Sequence, residues 1–172
     1  MPKIDESVIN FAVYEDSNEF YGMAEVTLPE ISTITQEIQG AGISGTIESA
    51  IIGHLEAMTL TLNFRTVQQS AISLMEPRNH TITLMAAQQE SDTVKGTKVV
   101  RAVKHVMIVT PKKFAPGKVA PASPAEASGE YGVSYYATFI DGKKVLEIDV
   151  LGFVYYVNGI DYLADVRKAL GK

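Results

Sequence analysis

Cysteine is absent from the 172 residues, which excludes disulfide bonds, a thiolate nucleophile and cysteine-ligated zinc. Long apolar runs are absent too. The longest candidate, VLGFVYYV at residues 150–157, has eight residues, whereas a membrane-spanning helix needs roughly 18. The chain starts with the charged stretch MPKIDESVIN rather than with the apolar run of a signal peptide. We therefore expect synthesis in the cytosol and no membrane anchor.

The charge balance is mildly acidic, with 15 Lys and Arg against 20 Asp and Glu and a net charge of −5. A chain without a surplus of basic residues lacks the broad positive surface with which proteins grip nucleic acid. This charge balance does not exclude a surface along which nucleic acid slides. Hydrophobic residues make up 46% of the chain, enough for a real core, and we expect one domain over residues 1–172.

Alternation of apolar and polar residues dominates the sequence and is typical of half-buried strands. In TLTLNFR, Leu60, Leu62 and Phe64 point to one face while the intervening Thr and Asn residues point to the other. The same pattern predicts strands at residues 33–38, 80–86, 98–110 and 133–140.

The dipeptide Asp141-Gly142 lies between two apolar runs, where it favours the positive φ angles of a two-residue hairpin turn. The returning strand, KKVLEIDVLGFVYYV, would place Ile148 on one face and both Glu147 and Asp149 on the other. Paired carboxylates can carry out acid–base chemistry, but a solvated strand face explains the same pattern.

Helices and a loop interrupt the strands. Residues 66–75 carry a helical stripe of Val67, Ala71, Leu74 and Met75 and are followed by Pro77. A second helix is predicted at the C-terminus, with Asp161 as its cap. Residues 111–132, rich in Pro, Ala and Ser, are predicted to form a long flexible loop. The elements together predict an α+β fold that is mainly β.

Three glycines, Gly40, Gly42 and Gly45, match the G-x-G-x-x-G pattern of dinucleotide-binding turns. That pattern requires a buried strand before it and a helix after it. Here the preceding segment is half polar, and Gly53 interrupts the following one. We therefore predict a bend between strands or a close backbone approach. A small β-rich dinucleotide-binding enzyme stays as a remote alternative.

No other motif indicates an active site. His54, His80 and His105 do not have the spacing of metal ligands, and the chain has no G-x-S-x-G elbow. We expect no catalytic residue, no cofactor, no metal and no enzymatic activity.

Two segments resemble the major tail tube proteins of contractile-tailed bacteriophages and the related contractile bacteriocins. Residues 21–48 contain Val-Thr-Leu-Pro, ending at Pro29, followed by the glycine cluster. Residues 135–171 are similar to the closing pattern of that family. Their matching positions are Asp141, Gly142, Leu146, Glu147, Ile148, Asp149, Val157, Asn158, Gly159, Asp161, Leu163, Arg167 and Gly171.

The resemblance implies two packed antiparallel sheets in a barrel-like sandwich, with a flanking helix and a short C-terminal helix. It implies hexameric rings that stack axially into the inner tail tube of a virion, assembled in the host cytoplasm. The expected partners are other copies, the tail sheath, the tape measure, the baseplate and the tail terminator. DNA would pass through without specific binding, or the tube would pierce the envelope, during sheath contraction. A type VI secretion-like injected tube protein is the alternative.

Under this resemblance, the assembly or turn candidates are Pro29, Gly40, Gly42, Gly45, Asp141, Gly142, Glu147, Asp149, Asn158, Gly159 and Asp161. The polar strand faces of residues 31–63 and 98–140 are expected to line the lumen. Arg65, Arg101 and Lys104 fit an acidic or neutral lumen poorly, and we expect them to pair with carboxylates of neighbouring subunits.

Overall fold

The computed structural model describes residues 2–172, which form twelve strands and two short helices. The strands are β1 (Lys3–Glu15), β2 (Asn18–Phe20), β3 (Met23–Thr27), β4 (Thr33–Ile38), β5 (Ile47–Leu55), β6 (Met58–Phe64), β7 (His80–Asp92), β8 (Lys98–Ala115), β9 (Ala127–Ile140), β10 (Lys143–Asp149), β11 (Val154–Val157) and β12 (Ile160–Asp161). The helices are α1 (Gln69–Ser73) and α2 (Ala164–Ala169).

A ten-stranded antiparallel sheet forms most of the molecule, and β9 is its branching point. One edge of β9 pairs with β8, which continues through β7 to β1 and β2. On its other edge, the first half of β9 pairs with β6, which carries β3. The second half pairs with β10, which continues to β11 and β12. A separate sheet contains only β4 and β5.

The core lies inside the curl of the large sheet. Strand β6 follows its predicted alternation, because Met58, Leu60, Leu62 and Phe64 are buried while the Thr and Asn residues between them are not. The sheet curves far enough for Phe20 of β2 to contact Phe64 edge to face, with ring centroids 6.4 Å apart. Within residues 2–172 it does not close into a barrel, since no ladder joins β2 to β3 or β6. The predicted mainly β fold with two antiparallel sheets and two short helices is confirmed.

Both helices are shorter than the sequence patterns predict. Helix α1 covers only Gln69–Ser73, because the core has room for Ala71 and Leu74 and leaves Val67 and Met75 exposed. Helix α2 begins at Ala164, three residues after the predicted cap. No helix in the described residues is long and apolar enough to cross a membrane.

The irregular segment between β8 and β9 is shorter than the predicted loop over residues 111–132. Strand β8 runs through Pro111 to Ala115, and β9 already begins at Ala127. A register shift between Pro111 and Lys113 accommodates the proline, which cannot donate to a ladder. Residues 116–126 alone connect the two strands.

Arg101 forms ion pairs with carboxylates of its own chain. It therefore does not need the predicted carboxylate of a neighbouring subunit. Its guanidinium contacts the carboxylate of Glu90, which is only 1% exposed, and lies 3.8 Å from Asp141. Lys3 also reaches Glu90, at 3.3 Å. Two cations therefore compensate one buried carboxylate, as a charge in a core requires.

His105 occupies the core face of β8. Its ring stacks on Tyr136 with centroids 5.8 Å apart, and its Nδ1 lies 2.9 Å from the Tyr136 hydroxyl and 3.1 Å from the Thr138 hydroxyl. Burial lowers the pKa of His105 below its usual value. The neutral ring, with Nδ1 as acceptor, therefore fits this site.

Acidification should destabilise the fold through His105. Because the pKa of His105 is lower in the folded state than in the unfolded chain, its contribution is complete above about pH 6.5 and is lost as the pH falls. Urea unfolding at pH 7.5 and pH 5.5 should show a smaller loss of stability for H105N than for the natural chain. Equal losses in both proteins would contradict this assignment, since His54 and His80 are common to both.

Candidate assembly surface

Two of the C-terminal hairpins close on the dipeptides singled out in the sequence. Asp141 and Gly142 join β9 to β10 with φ angles of 49° and 80°. Asn158 and Gly159 join β11 to β12 with φ angles of 47° and 92°. Positive φ at both central positions is the geometry of the tight turn whose twist matches antiparallel strands. These four residues therefore shape the chain locally.

Asp149 and Asp161 hold the connections around β11. Asp149 Oδ1 accepts a hydrogen bond from the Gly152 amide at 2.9 Å. Asp161 Oδ1 accepts from the amides of Leu163 at 3.1 Å and Tyr155 at 3.3 Å, so it secures the turn before α2 and the helix-cap prediction is wrong. Its Oδ2 pairs with Arg167 at 2.6 Å.

The environment of Asp161 favours its charged form. Burial raises the pKa of this carboxyl, but the Arg167 guanidinium and the two backbone amides outweigh burial and lower it. Arg167 also donates to the carbonyl of Phe153 at 2.6 Å. Arg167 therefore ties α2 to β12 through the ion pair and to the β10–β11 connection through the hydrogen bond.

Glu147 is on the solvent face of β10, opposite the buried Ile148, as the alternation predicts. Its carboxylate pairs with Lys144, whose ammonium also lies 4.6 Å from the centre of the Tyr156 ring. Pro29, between β3 and β4, is buried. Neither residue projects freely from the molecule.

The most exposed part of the fold is the hairpin of β4 and β5, residues 33–55, which we call the arm. In the described residues neither of its strands pairs with a third strand. Ile38 lies directly opposite Ile47, and the two side chains are 45% and 54% exposed. The alternation of β4 and β5 places Ile34 and Ile51 on the same face as this pair.

The glycine cluster lies at the tip of the arm and joins two antiparallel strands. Gly42 and Gly45 have φ angles of 89° and 155°, and no atom of the described chain lies within 4 Å of where a Cβ would stand at Gly40, Gly42 or Gly45. The cluster is thus neither a strand-to-helix turn nor a close approach within the chain. Dinucleotide binding requires a helix directly after the glycines, whereas this cluster is followed by strand β5.

The root of the arm is held by the C-terminal segment. Gly53 has a φ of 65° and lies in an irregular stretch of β5, where the register with β4 shifts. A Cβ at Gly53 would overlap the side chain of Leu163, which is buried. Two cavities adjoin this contact and share Gly53, His54, Phe153 and Leu163 as lining residues. The root of the arm therefore contacts the C-terminal segment closely at Gly53, with space beside the contact.

The large sheet also has free edges. Strand β1 pairs with β7 along its length, but β2 covers only Val13–Glu15 on the other side. The remaining edge, residues 3–12, carries Ile4, Val8 and Ile9, each more than half exposed. Within residues 2–172, strand β3 pairs with β6 alone. Exposed strand edges are templates for pairing with another chain.

The solvent face of the large sheet mixes hydroxyl groups with exposed apolar side chains such as Met85 and Val100. Thr59 and Thr61 of β6 lie on this face, as does Thr81 of β7. Among the lysines here, Lys112 donates to the Thr59 hydroxyl at 3.2 Å, and Lys104 lies 5.7 Å from the centre of the Phe139 ring. This face therefore carries hydroxyl groups near β6, apolar side chains in β7 and β8, and scattered charges.

Sequence reasoning missed the N-terminal strand and the contact at the arm root. The sequence does not predict strand β1, because Ile4, Val8 and Ile9 do not alternate regularly with polar residues. In the structure its first eight residues are exposed. Gly53 was read only as an interruption of a helical pattern. The signal available was a glycine between β-branched residues, which is typical of a bulge or a close approach.

Comparisons with known proteins gave a family match, a relative and a similar solved structure. The family described as phage tail tube protein FII matches residues 5–171. The tail tube protein of Escherichia phage P2 is 25% identical over 164 residues, covering 92% of this chain and 93% of that protein. The fold is similar to the sheath/tube terminator of an extracellular contractile injection system, PVC, in its extended state. That match has a TM-score of 0.52 and 13% identity, and it covers 76% of this chain and 94% of the other.

Adding a methyl group at Gly53 should loosen the arm. The variant G53A combines a strained positive φ with an overlap on Leu163, so we expect a loss of more than about 1 kcal/mol in the free energy of unfolding. G40A is the matched control, because that site has open space and no positive φ, and its change should stay within about 0.5 kcal/mol. Urea unfolding measures both. Equal free energies of unfolding for the two variants would contradict a stabilising contact between Gly53 and Leu163.

Proposed function

Because this chain belongs to the phage tail tube protein FII family, we propose that six copies close into a ring and that rings stack into the inner tube of a contractile tail. The tube conducts DNA while the sheath contracts around it. The chain acts as a structural subunit in one tail tube domain and catalyses no reaction.

The observation that carries this proposal is the arm, a two-stranded sheet with exposed isoleucines. A hairpin without a third strand is marginally stable in water, and its open edges and apolar face favour a cover. Another copy of the chain supplies that cover in a tube. In a ring or a stack, the arm and the β1 edge each contact an unlike surface on a neighbour, because heterologous contacts of this kind generate rings and stacks.

The lumen is proposed to be the solvent face of the large sheet. The hydroxyl groups on this face hold water, its apolar side chains offer phosphate no partner, and a net charge of −5 per chain disfavours retention of DNA. The lysines on this face limit the repulsion without forming a continuous basic track. DNA therefore moves along the wall without binding to it.

The assembled tube is proposed to meet the sheath on its outer surface, the tape measure in its lumen, and the baseplate and terminator at its ends. Assembly takes place in the host cytoplasm before the virion is complete. The likeness to a phage tail tube protein over most of both chains favours a phage tube over a type VI secretion-like injected tube.

Negative-stain electron microscopy across a concentration series, paired with solution mass, tests this proposal. Six-fold rings or hollow rods are expected, either spontaneously or after addition of an assembled baseplate. A protein that stays monomeric at every concentration and also fails to extend a baseplate would contradict it.

Replacing the facing isoleucines of the arm should weaken assembly while sparing the fold. In I38T/I47T the strands keep β-branched residues, and the side chains are half exposed in the single chain, so unfolding free energy should change by less than about 1 kcal/mol. If a neighbour buries them, the critical concentration for tube formation should rise at least about tenfold, as measured by sedimentation. I72T/I160T makes the same chemical change at exposed sites outside the arm. Equal effects from both double variants would argue against the arm.

A further inference from the structure

The first eight residues of β1, residues 3–10, place no buried apolar side chain in the core. All eight are exposed, and the first residue of the strand that packs against the core cluster is Phe11. On the side away from β7, strand β2 covers only Val13–Glu15. These eight residues are therefore most of the free β1 edge, and their position depends on contacts other than hydrophobic burial.

The ladder between this segment and β7 is interrupted twice. Glu6 and Ile9 each lie at a register shift and have no partner residue in β7. A bulge of this kind leaves its extra residue unpaired and disrupts the ladder locally. Asp5 does have a partner, but it lies directly opposite Glu90, and like charges in that position are destabilising. Backbone pairing alone therefore holds the segment weakly.

Two cations offset the repulsion between Asp5 and Glu90. Lys3 reaches one oxygen of the buried Glu90 carboxylate at 3.3 Å, and the Arg101 guanidinium contacts the other. The same guanidinium lies 3.7 Å from Asp5, so it bridges the two carboxylates. Lys3 and Asp5 belong to β1, Glu90 to β7 and Arg101 to β8. These four residues, which we call the latch, therefore join the start of β1 to the two strands beside it.

The turn between β9 and β10 places a further carboxylate beside Arg101. Asp141 lies 3.8 Å from the Arg101 Nε. Asp141 is itself fixed to β8, because its amide donates to the Ala102 carbonyl at 2.9 Å and its Oδ1 accepts from the Ala102 amide at 3.1 Å. The Asp141 turn therefore helps to orient the guanidinium of the latch as well as closing a hairpin.

A second set of polar contacts holds the segment on the opposite face of the sheet. The Glu6 carboxylate pairs with Lys98 of β8 and accepts a hydrogen bond from the Gln89 side chain. Both contacts are exposed, so water and salt compete with them, whereas the pairs made by the buried Glu90 are screened much less. The position of residues 3–10 therefore depends most on Glu90.

We infer that Glu90 is a positioning residue for assembly, which holds residues 3–10 against β7 through Lys3 and Arg101 and thereby keeps the β1 edge in place for pairing with a second copy. The inference deepens the proposed function, on which it rests, by naming a residue that prepares one of the assembly surfaces. Glu90 is buried, so it acts through the strand rather than by touching a neighbour. Without the latch the core still folds, but the edge that another copy uses as a template is lost.

Amide exchange and sedimentation of E90Q test the latch. In the single chain, the amides of residues 3–10 that pair with β7 should exchange at least about tenfold faster in E90Q than in the natural chain, while amides of the β6–β9 core keep their protection. The critical concentration for tube formation should rise at least about tenfold. K3Q removes the latch cation of β1, whose side chain is partly exposed, and should shift both quantities in the same direction.

K95Q is the matched control for the loss of a positive charge. Lys95 is exposed in the connection between β7 and β8, and within residues 2–172 it forms no ion pair. Its exchange and its critical concentration should match those of the natural chain.

A crosslink separates the position of the strand from the charge of Glu90. Ile4 lies directly opposite Ser91, and the Cα atoms of such a pair are about 4.5–5.5 Å apart, which a disulfide spans. Because the chain has no cysteine of its own, E90Q/I4C/S91C can form one defined bond. The oxidised variant should assemble as the natural chain does, and the reduced variant should assemble as poorly as E90Q.

The outcomes separate the inference from the proposed function. If E90Q leaves exchange in residues 3–10 unchanged, or frees them without weakening assembly, the latch is wrong while the tube function stands. Failure of the oxidised variant to assemble, with its bond verified by mass and its fold by circular dichroism, also overturns the positioning role. If the natural chain forms no ring or tube with or without a baseplate, the proposed function itself fails, and the inference fails with it.

Discussion

A pair of antiparallel strands that meets no third strand exposes two rows of backbone N–H and C=O groups along its edges. In this chain the arm exposes two such rows, and the free edge of β1 exposes another. Water satisfies such groups, but it does not cover the isoleucines between them, and both features favour pairing with another chain. The rest of the molecule presents these open strand edges on a rigid base.

The rigid base arises from the core and the C-terminal segment together. The curled sheet buries one face of β6 to β9, which fixes the direction in which β6 begins and therefore where the arm leaves the domain. Asp161 and Arg167 fix the turn that places Leu163 against Gly53. The residues of the C-terminal segment, 135–171, thus contribute indirectly to the proposed assembly. They close hairpins and hold the arm root, and the arm carries the proposed contact with the next copy.

Local patterns predicted the parts of the fold that depend on neighbouring residues in the chain. The Asp141-Gly142 hairpin and the alternation of β6 are encoded by a few residues and occur where the sequence places them. The loop over residues 111–132 and the helix from residue 66 were overestimated, because tertiary pairing extends β8 through a proline and the core shortens α1. The exposure of the arm could not be predicted, since its isoleucines read as core residues. In a single chain the facing pair Ile38 and Ile47 stays about half exposed.

Amide hydrogen exchange of residues 33–55, compared between unassembled chains and assembled tubes, tests the central claim most directly. The account predicts rapid exchange along the arm in the single chain, except near Gly53, and strong protection of the whole arm in the tube. Amides of the β6–β9 core should be protected in both states. An arm that is equally protected before and after assembly, or one that stays unprotected inside a tube, would show that copies of the chain do not complete it.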